Sequence, residues 1–148
     1  MRFLIADESA MEALGRRLAE VCRHGALIYL SGELGAGKTT LVRGLLRALG
    51  YAGTVKSPTY TLLETYETGE LTVSHVDLYR ISAGAELHYL DLRERMQSGA
   101  LCLIEWPERA ADYLPAPDVQ VRIDYMEHGR CVTLSAATPH GAALLAAL

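Results

Sequence analysis

The sequence predicts an α/β domain built on a mainly parallel central sheet with an antiparallel hairpin. Three observations predict it. Two nearly continuous apolar runs of strand length, residues 26–30 and 100–104, read as strands buried on both faces, the pattern that parallel sheets impose. Segments with apolar residues at helical spacing lie between such runs, most clearly at 9–23 and 38–49. The connections carry isolated glycines and prolines and no low-complexity tract, so residues 1–148 are expected to form one domain.

Each element has its own signal. Ser9 to Glu12 fits a capping box, Leu14, Leu18, Val21 and Cys22 share a face, and His24-Gly25 stops the helix. The first buried strand follows at 26–30. Residues 38–49 are helical again, with Leu41, Leu45, Leu46 and Leu49 on one side and Gly50 as the stop. Residues 61–66 and 71–78 read as a hairpin turning through Glu67-Thr68-Gly69-Glu70. A helix is expected over 85–97, with Leu87, Leu90 and Leu92 apolar. The second buried strand, 100–104, ends abruptly at Glu105. Pro115 and Pro117 break the next connection, strands follow at 119–124 and 131–135 around His128-Gly129, and 139–148 closes as a short helix.

Composition narrows the function. The chain has 148 residues, 50% hydrophobic and 22% charged, with a net charge of −4. This excludes disorder, collagen and coiled coil, and a domain of this size buries about 68–70% of its unfolded surface. No apolar run approaches the ~20 residues of a membrane span. The opening Met1 to Ile5 is apolar only briefly before Asp7-Glu8, too short for a signal peptide, so a soluble cytoplasmic protein is expected. The 14 basic residues are outnumbered by 18 acids, which argues against broad electrostatic binding of nucleic acid. Only Lys38 and Lys56 are lysines; the other basic residues are arginine. Cys22, Cys102 and Cys131 form neither a C-x-x-C pair nor a zinc pattern and read as buried thiols in a reducing compartment. His24, His88, His128 and His140 lack partner spacing and read as exposed or turn residues.

The chemistry is concentrated in Gly32-Glu33-Leu34-Gly35-Ala36-Gly37-Lys38-Thr39, which matches G-x-x-x-x-G-K-[ST] at every fixed position. It lies after a buried strand and before an amphipathic helix, as a phosphate-binding loop requires. Glycines let successive backbone N–H groups point inward at phosphate oxygens, and the helix start aims its own N–H groups at the same anion. Lys38 is expected at the β- and γ-phosphates, the Thr39 hydroxyl on Mg²⁺ and Thr40 at the α-phosphate. Two acids are placed to complete a metal site: Glu105 at the end of one buried strand and Asp77 at the end of another. Which of them touches metal and which orients water stays open at this level. Val55-Lys56-Ser57-Pro58-Thr59-Tyr60-Thr61 suits a loop that senses the γ-phosphate, and on the residues alone it reads equally as an ordinary polar connection with a Ser-Pro turn. Trp106 either packs near this site or fills the core.

Residues 32–40, Val55 to Leu62, His75-x-Asp77-Leu78-Tyr79-Arg80 and Ile104-Glu105-Trp106-Pro107 stand in an order and spacing that resembles the TsaE family. This is the bacterial P-loop ATPase family of tRNA threonylcarbamoyladenosine biosynthesis. The resemblance covers essentially the whole chain. It implies a three-layer P-loop nucleoside triphosphate hydrolase fold that binds ATP and Mg²⁺. It also implies partnership with the TsaD–TsaB heterodimer, which modifies A37 of tRNA, so that tRNA is reached indirectly; ATP hydrolysis would reset that complex between turnovers. Carried over by motif, Lys38, Thr39, Asp77 and Glu105 are the nucleotide, metal and hydrolysis residues. Thr39, Asp77 and Glu105 are the metal candidates. Ser57, Pro58, Thr59 and Tyr60 form the switch-like loop, with Thr59 in the catalytic set. Gly35, Ala36, Gly37 and Thr40 line the nucleotide, and Glu8 and Arg130 align with positions near it.

The chain departs from the family pattern at Glu33, where aspartate is common, at Val76, where an aromatic often stands, and at Tyr89 to Leu92, where a glycine-containing stretch is usual. A small P-loop kinase and a nucleotide-sensing module without turnover are the competing readings. No arginine-bearing lid insertion is visible for the former, and the presence of both Asp77 and Glu105 argues against the latter. Adenine specificity follows from the resemblance, since no guanine-reading N/T-K-x-D motif is present. Slow hydrolysis by the chain alone is expected, because no arginine finger is evident.

Overall fold

Backbone hydrogen bonds join β1 (Arg2–Ile5), β2 (Ala26–Ser31), β3 (Leu63–Glu67), β4 (Thr72–Asp77), β5 (Leu101–Glu105), β6 (Val119–Tyr125) and β7 (Arg130–Ala136) into one seven-stranded sheet. The computed structural model describes residues 1–69, 71–82, 91–97 and 99–148. The strand order is β1-β7-β6-β2-β5-β4-β3. The four central strands, β6, β2, β5 and β4, run parallel. Hairpins β6–β7 and β3–β4 make both margins antiparallel, and β1 adds to β7 antiparallel.

Alternation along the central strands divides two apolar layers. Ile28 and Leu30 of β2 and Leu101 and Leu103 of β5 pack on one face with α1 (Glu8–Val21) and α2 (Lys38–Ala48). Leu27, Tyr29, Cys102 and Ile104 face the other way, where the 3₁₀ segment Pro107–Tyr113 contributes Ala110 and the partly buried Met96 comes from α3 (Leu92–Gln97). Helix α4 (Pro139–Ala147) sets Leu144 and Leu145 against the first layer. This is the three-layer arrangement that the resemblance implies. Among the described residues no helix is long and apolar enough to cross a membrane.

Several local expectations shift. Helix α1 begins at Glu8, and its cap is Asp7, whose Oδ1 accepts from the Ala10 N–H at 2.8 Å; the capping box read at Ser9 is displaced by this better-placed carboxylate. Strand β3 begins at Leu63, because Leu62 takes φ +65° and its N–H turns back to the Pro58 carbonyl. Residues 2–5, read only as a short apolar stretch, form an edge strand with a single well-buried residue, Ile5. The segment 107–113 forms 3₁₀ turns kinked at Ala110. Of the helix expected over 85–97, Leu92–Gln97 is helical and 83–90 lies outside the described residues. His24, His128 and His140 are exposed, while His88 falls in that same stretch.

Candidate functional site

Strand β2, the loop 32–37 and helix α2 carry the core of the site. Gly35 and Gly37 take φ +76° and +115°, values that glycine adopts without strain. Gly37 caps α2 without any side-chain hydrogen bond, so the first N–H groups of the helix lack the usual side-chain acceptor. The β6–β7 hairpin clasps the loop: the Tyr125 hydroxyl donates to the Leu34 carbonyl at 2.9 Å and Arg130 Nε to the Ala36 carbonyl at 3.2 Å. The Arg130 guanidinium also stacks 4.0 Å from the Tyr125 ring centre.

Lys38 is 5% exposed, and its Nζ donates to the carbonyls of Gly32 and Glu33 at 2.6 and 3.0 Å. Burial pulls its ammonium below the usual lysine range, while the charges of Glu105, Asp77 and Glu108 act in the opposite direction. Its Nζ also lies 4.5 Å from the centre of the Trp106 ring, and Tyr79 packs against that ring at 5.0 Å. Trp106 thus meets both expectations at once, half-buried at the rim of the second apolar layer and facing the Lys38 ammonium.

The two acids end neighbouring parallel strands in register, Asp77 beside Glu105, and both are 2% exposed. Asp77 accepts three hydrogen bonds and still lines the cavity. Its Oδ1 accepts from the Tyr79 N–H at 2.8 Å, and its Oδ2 accepts from the hydroxyls of Ser57 at 2.6 Å and Thr59 at 3.1 Å. Those hydroxyls are 3.1 Å apart, so the loop expected to act as a switch is tied directly to the carboxylate. Glu105 differs. His75 Nε2–H donates to its Oε1 at 2.8 Å, and among the described residues Oε2 has no protein donor.

Two cavities meet at the glycine-rich loop. One, of about 220 Å³, is lined by Lys38, Thr39, Thr59, Asp77 and Glu105 among others. The second, of about 310 Å³, is lined by Glu8, Met11, Ala36 and Arg130 among others. Gly35, Gly37 and Thr40 line both. Glu8, Gly35, Ala36, Gly37, Lys38, Thr39, Thr40, Thr59, Asp77, Glu105 and Arg130 thus each line one or other cavity, as does Ser57, whereas Lys56, Pro58 and Tyr60 of the expected switch loop line neither. Glu8 lines its cavity as a mostly exposed side chain whose carboxylate pairs with Arg43 of α2. Thr39, Asp77 and Glu105 are the groups able to hold a metal; among the described residues no cluster of three or more His, Cys, Asp or Glu side chains could do so alone.

His75 is the functional candidate that sequence reading passed over, although it sits inside a quoted motif. The available signal was period two: residues 75 and 77 of one strand share a face. Its ring is fully buried, and Nδ1 has no partner among the described residues.

The sheet order and the loop between β2 and α2, with two acids at the ends of adjacent parallel strands, define a three-layer α/β protein of the P-loop fold class. A crystal structure of YdiB from Bacillus subtilis matches with a TM-score of 0.82 at 25% identity, covering 99% of this chain and 91% of that one. Residues 5–132 match the model of TsaE, the threonylcarbamoyl adenosine biosynthesis protein. A protein of Haemophilus influenzae named tRNA threonylcarbamoyladenosine biosynthesis protein TsaE is 40% identical, over 97% of this chain and 94% of that protein. One of the same name from Streptomyces coelicolor is 45% identical over 77% of this chain and 78% of its own length. The chain belongs to the TsaE family.

Proposed function

We propose that the chain is the ATP-binding and ATP-hydrolysing component of the machinery that makes threonylcarbamoyladenosine at A37 of tRNA, resetting a TsaD–TsaB transferase between turnovers in the cytoplasm. The observation that carries the hydrolytic part is the single cavity shared by Lys38, Thr39, Asp77 and Glu105, adjoining a second cavity across the glycine-rich loop. The first suits a triphosphate, having an ammonium, hydroxyls and an uncapped helix start. The second, flanked by Met11 and the Arg130–Tyr125 stack, suits the ribose and base. The relatives' names support the tRNA-modification context.

The donor set fits Mg²⁺, which takes one or two carboxylates or hydroxyls and completes its shell with phosphate oxygens and water. Thr39 and Asp77 would hold it, and bound there it neutralises charge on the phosphate oxygens. Lys38 places a point charge at the β- and γ-phosphates. Glu105, with one oxygen unpaired, orients the attacking water. The water oxygen bonds to the γ-phosphorus as the bond from that phosphorus to its bridging oxygen breaks. ADP leaves with the electron pair, and the proton passes to Glu105 and then to phosphate. Ser57 and Thr59 tie the loop 57–60 to Asp77, so a change at the γ-phosphate reaches an exposed surface through Tyr60, which is 82% exposed.

Phosphate release with and without TsaD–TsaB tests this. Slow release alone and faster release with the partners are expected. Equal rates, or transfer of the phosphate to a small acceptor, would overturn the reset role. Lys38→Ala should abolish nucleotide binding, whereas Glu105→Ala should bind ATP and lose turnover. Normal hydrolysis by Glu105→Ala would overturn the assignment of the water-orienting group.

A further inference from the structure

Strand β4 sets His75 on the face it shares with Val73 and Asp77, in register with Leu103 of β5 on one side and Glu64 of β3 on the other. Val73 and Leu103 are fully buried in the first apolar layer, and His75, in register with Leu103, is equally buried. A packing role alone is poorly served by imidazole, since Nδ1 is enclosed without a partner among the described residues. What the ring does make is one hydrogen bond, from Nε2 to Glu105 Oε1 at 2.8 Å, with both side chains at most 3% exposed. Glu105 receives no other protein hydrogen bond to its carboxylate among the described residues, in contrast to Asp77 with its three donors.

The tautomer follows from these partners. A proton on Nε2 satisfies Glu105, and a bare Nδ1 avoids a second buried N–H without an acceptor. The carboxylate is thereby fixed through one oxygen. Its side chain has several rotatable bonds and lines a cavity, where rotation without that hydrogen bond would scatter the other oxygen over several orientations.

We propose that His75 is a positioning residue for hydrolysis: its Nε2–H holds Glu105 Oε1 so that Oε2 addresses the water in the Lys38 cavity. This rests on the hydrolytic reading of the site. It gives His75 no contact with nucleotide and no share in proton transfer; His75 acts only through Glu105.

The test combines kinetics with a measurement that needs no nucleotide. In His75→Leu, which fills the space without a donor, kcat for ATP should fall roughly 10–100-fold, the usual cost of losing such a supporting partner. The KM for ATP and the melting temperature should hold. His75→Gln, whose amide nitrogen reaches a similar point, should recover part of the lost kcat. In the nucleotide-free wild-type chain, long-range ¹H–¹⁵N spectra of the histidine rings should show the His75 proton on Nε2, and Glu105→Ala should alter that proton's signal. Wild-type kcat in His75→Leu would overturn the proposal. So would a proton on Nδ1. A joint loss of KM, kcat and melting temperature, with Gln no better than Leu, would reduce His75 to a structural residue. A wild-type chain that turns over nothing, with or without TsaD–TsaB, would instead overturn the hydrolytic reading and the proposal with it.

Discussion

Trp106 holds φ +57° and ψ +47°, a left-handed conformation that costs a bulky residue about 1–3 kcal/mol. It persists because both sides of its peptide are fastened: its N–H donates to the Leu30 carbonyl and its carbonyl accepts from Arg109. The turn lets β5 deliver Glu105 to the cavity and then leave at once. The unpartnered His75 Nδ1 adds a cost of the same order, about 1–3 kcal/mol. Both costs fall beside the Lys38 cavity. Lys38, Asp77 and Glu105 were legible in the sequence because spacing and strand ends mark them. The role of His75 was not, because it is set by Glu105 on the neighbouring strand, and Trp106 could be read only as core or site, because its partners Lys38 and Tyr79 come from other elements. The cysteines were legible as buried thiols, and burial raises Cys22 and Cys102 from 9.0 to about 12. Because the folded values lie above the unfolded one, this stabilisation is complete below pH 9 and is lost as pH rises toward about 12. Each thiol should therefore steepen the alkaline loss of unfolding free energy by about 1 kcal/mol per pH unit in that window. Urea denaturation from pH 9 to 11 should show a shallower slope in Cys22→Ala and in Cys102→Ala. An unchanged slope in both would contradict the burial argument.

At the level of elements, the pairing of α1 with α2 decides where the loop sits. A Cβ placed on Gly15 would lie 2.2 Å from the Leu41 carbonyl oxygen, and one on Gly44 would lie 2.3 Å from that of Glu12. The two helices thus touch backbone to backbone, and Arg43 bridges them by pairing with Glu8 and Glu12. Both helices could be read from apolar periodicity, but this close approach could not, since a mid-helix glycine by itself signals only lower propensity. In an exposed helix, Gly→Ala gains up to about 1 kcal/mol. Here the clash is with backbone, which cannot rotate away, and overpacking typically costs about 1–3 kcal/mol or more. The sign should therefore reverse: Gly44→Ala and Gly15→Ala should each lower the melting temperature, by several degrees at about 2–4 °C per kcal/mol. A neutral or raised melting temperature would show that the helices separate easily. The edge strand β1 escaped sequence reading for a related reason. Leu4 is 75% exposed, so the strand carries little of the alternation that marks a half-buried one.

Across the whole molecule, the candidate site is assembled from pieces far apart in sequence. The loop 32–37, the hydroxyls of Ser57 and Thr59, the ends of β4 and β5, and the β6–β7 hairpin converge on two adjoining cavities. A ligand spanning both cavities would tie α1, α2, the central strands and the antiparallel margin together, which makes the proposed nucleotide site measurable through global stability. Binding to the folded chain alone adds RT ln(1 + [L]/Kd), about 2.7 kcal/mol when ligand stands at a hundred times Kd. For a chain of 148 residues, that corresponds to a rise of roughly 5–10 °C in melting temperature. Thermal unfolding with ATP and Mg²⁺ should show this rise in the wild-type chain and in Glu105→Ala, where the loop and Lys38 are intact. Lys38→Ala should show none at the same concentrations, and a chelator should reduce the wild-type shift by the share that the metal contributes. A full shift in Lys38→Ala would mean that the stabilising ligand binds elsewhere, and the two cavities would then lose their claim to the nucleotide.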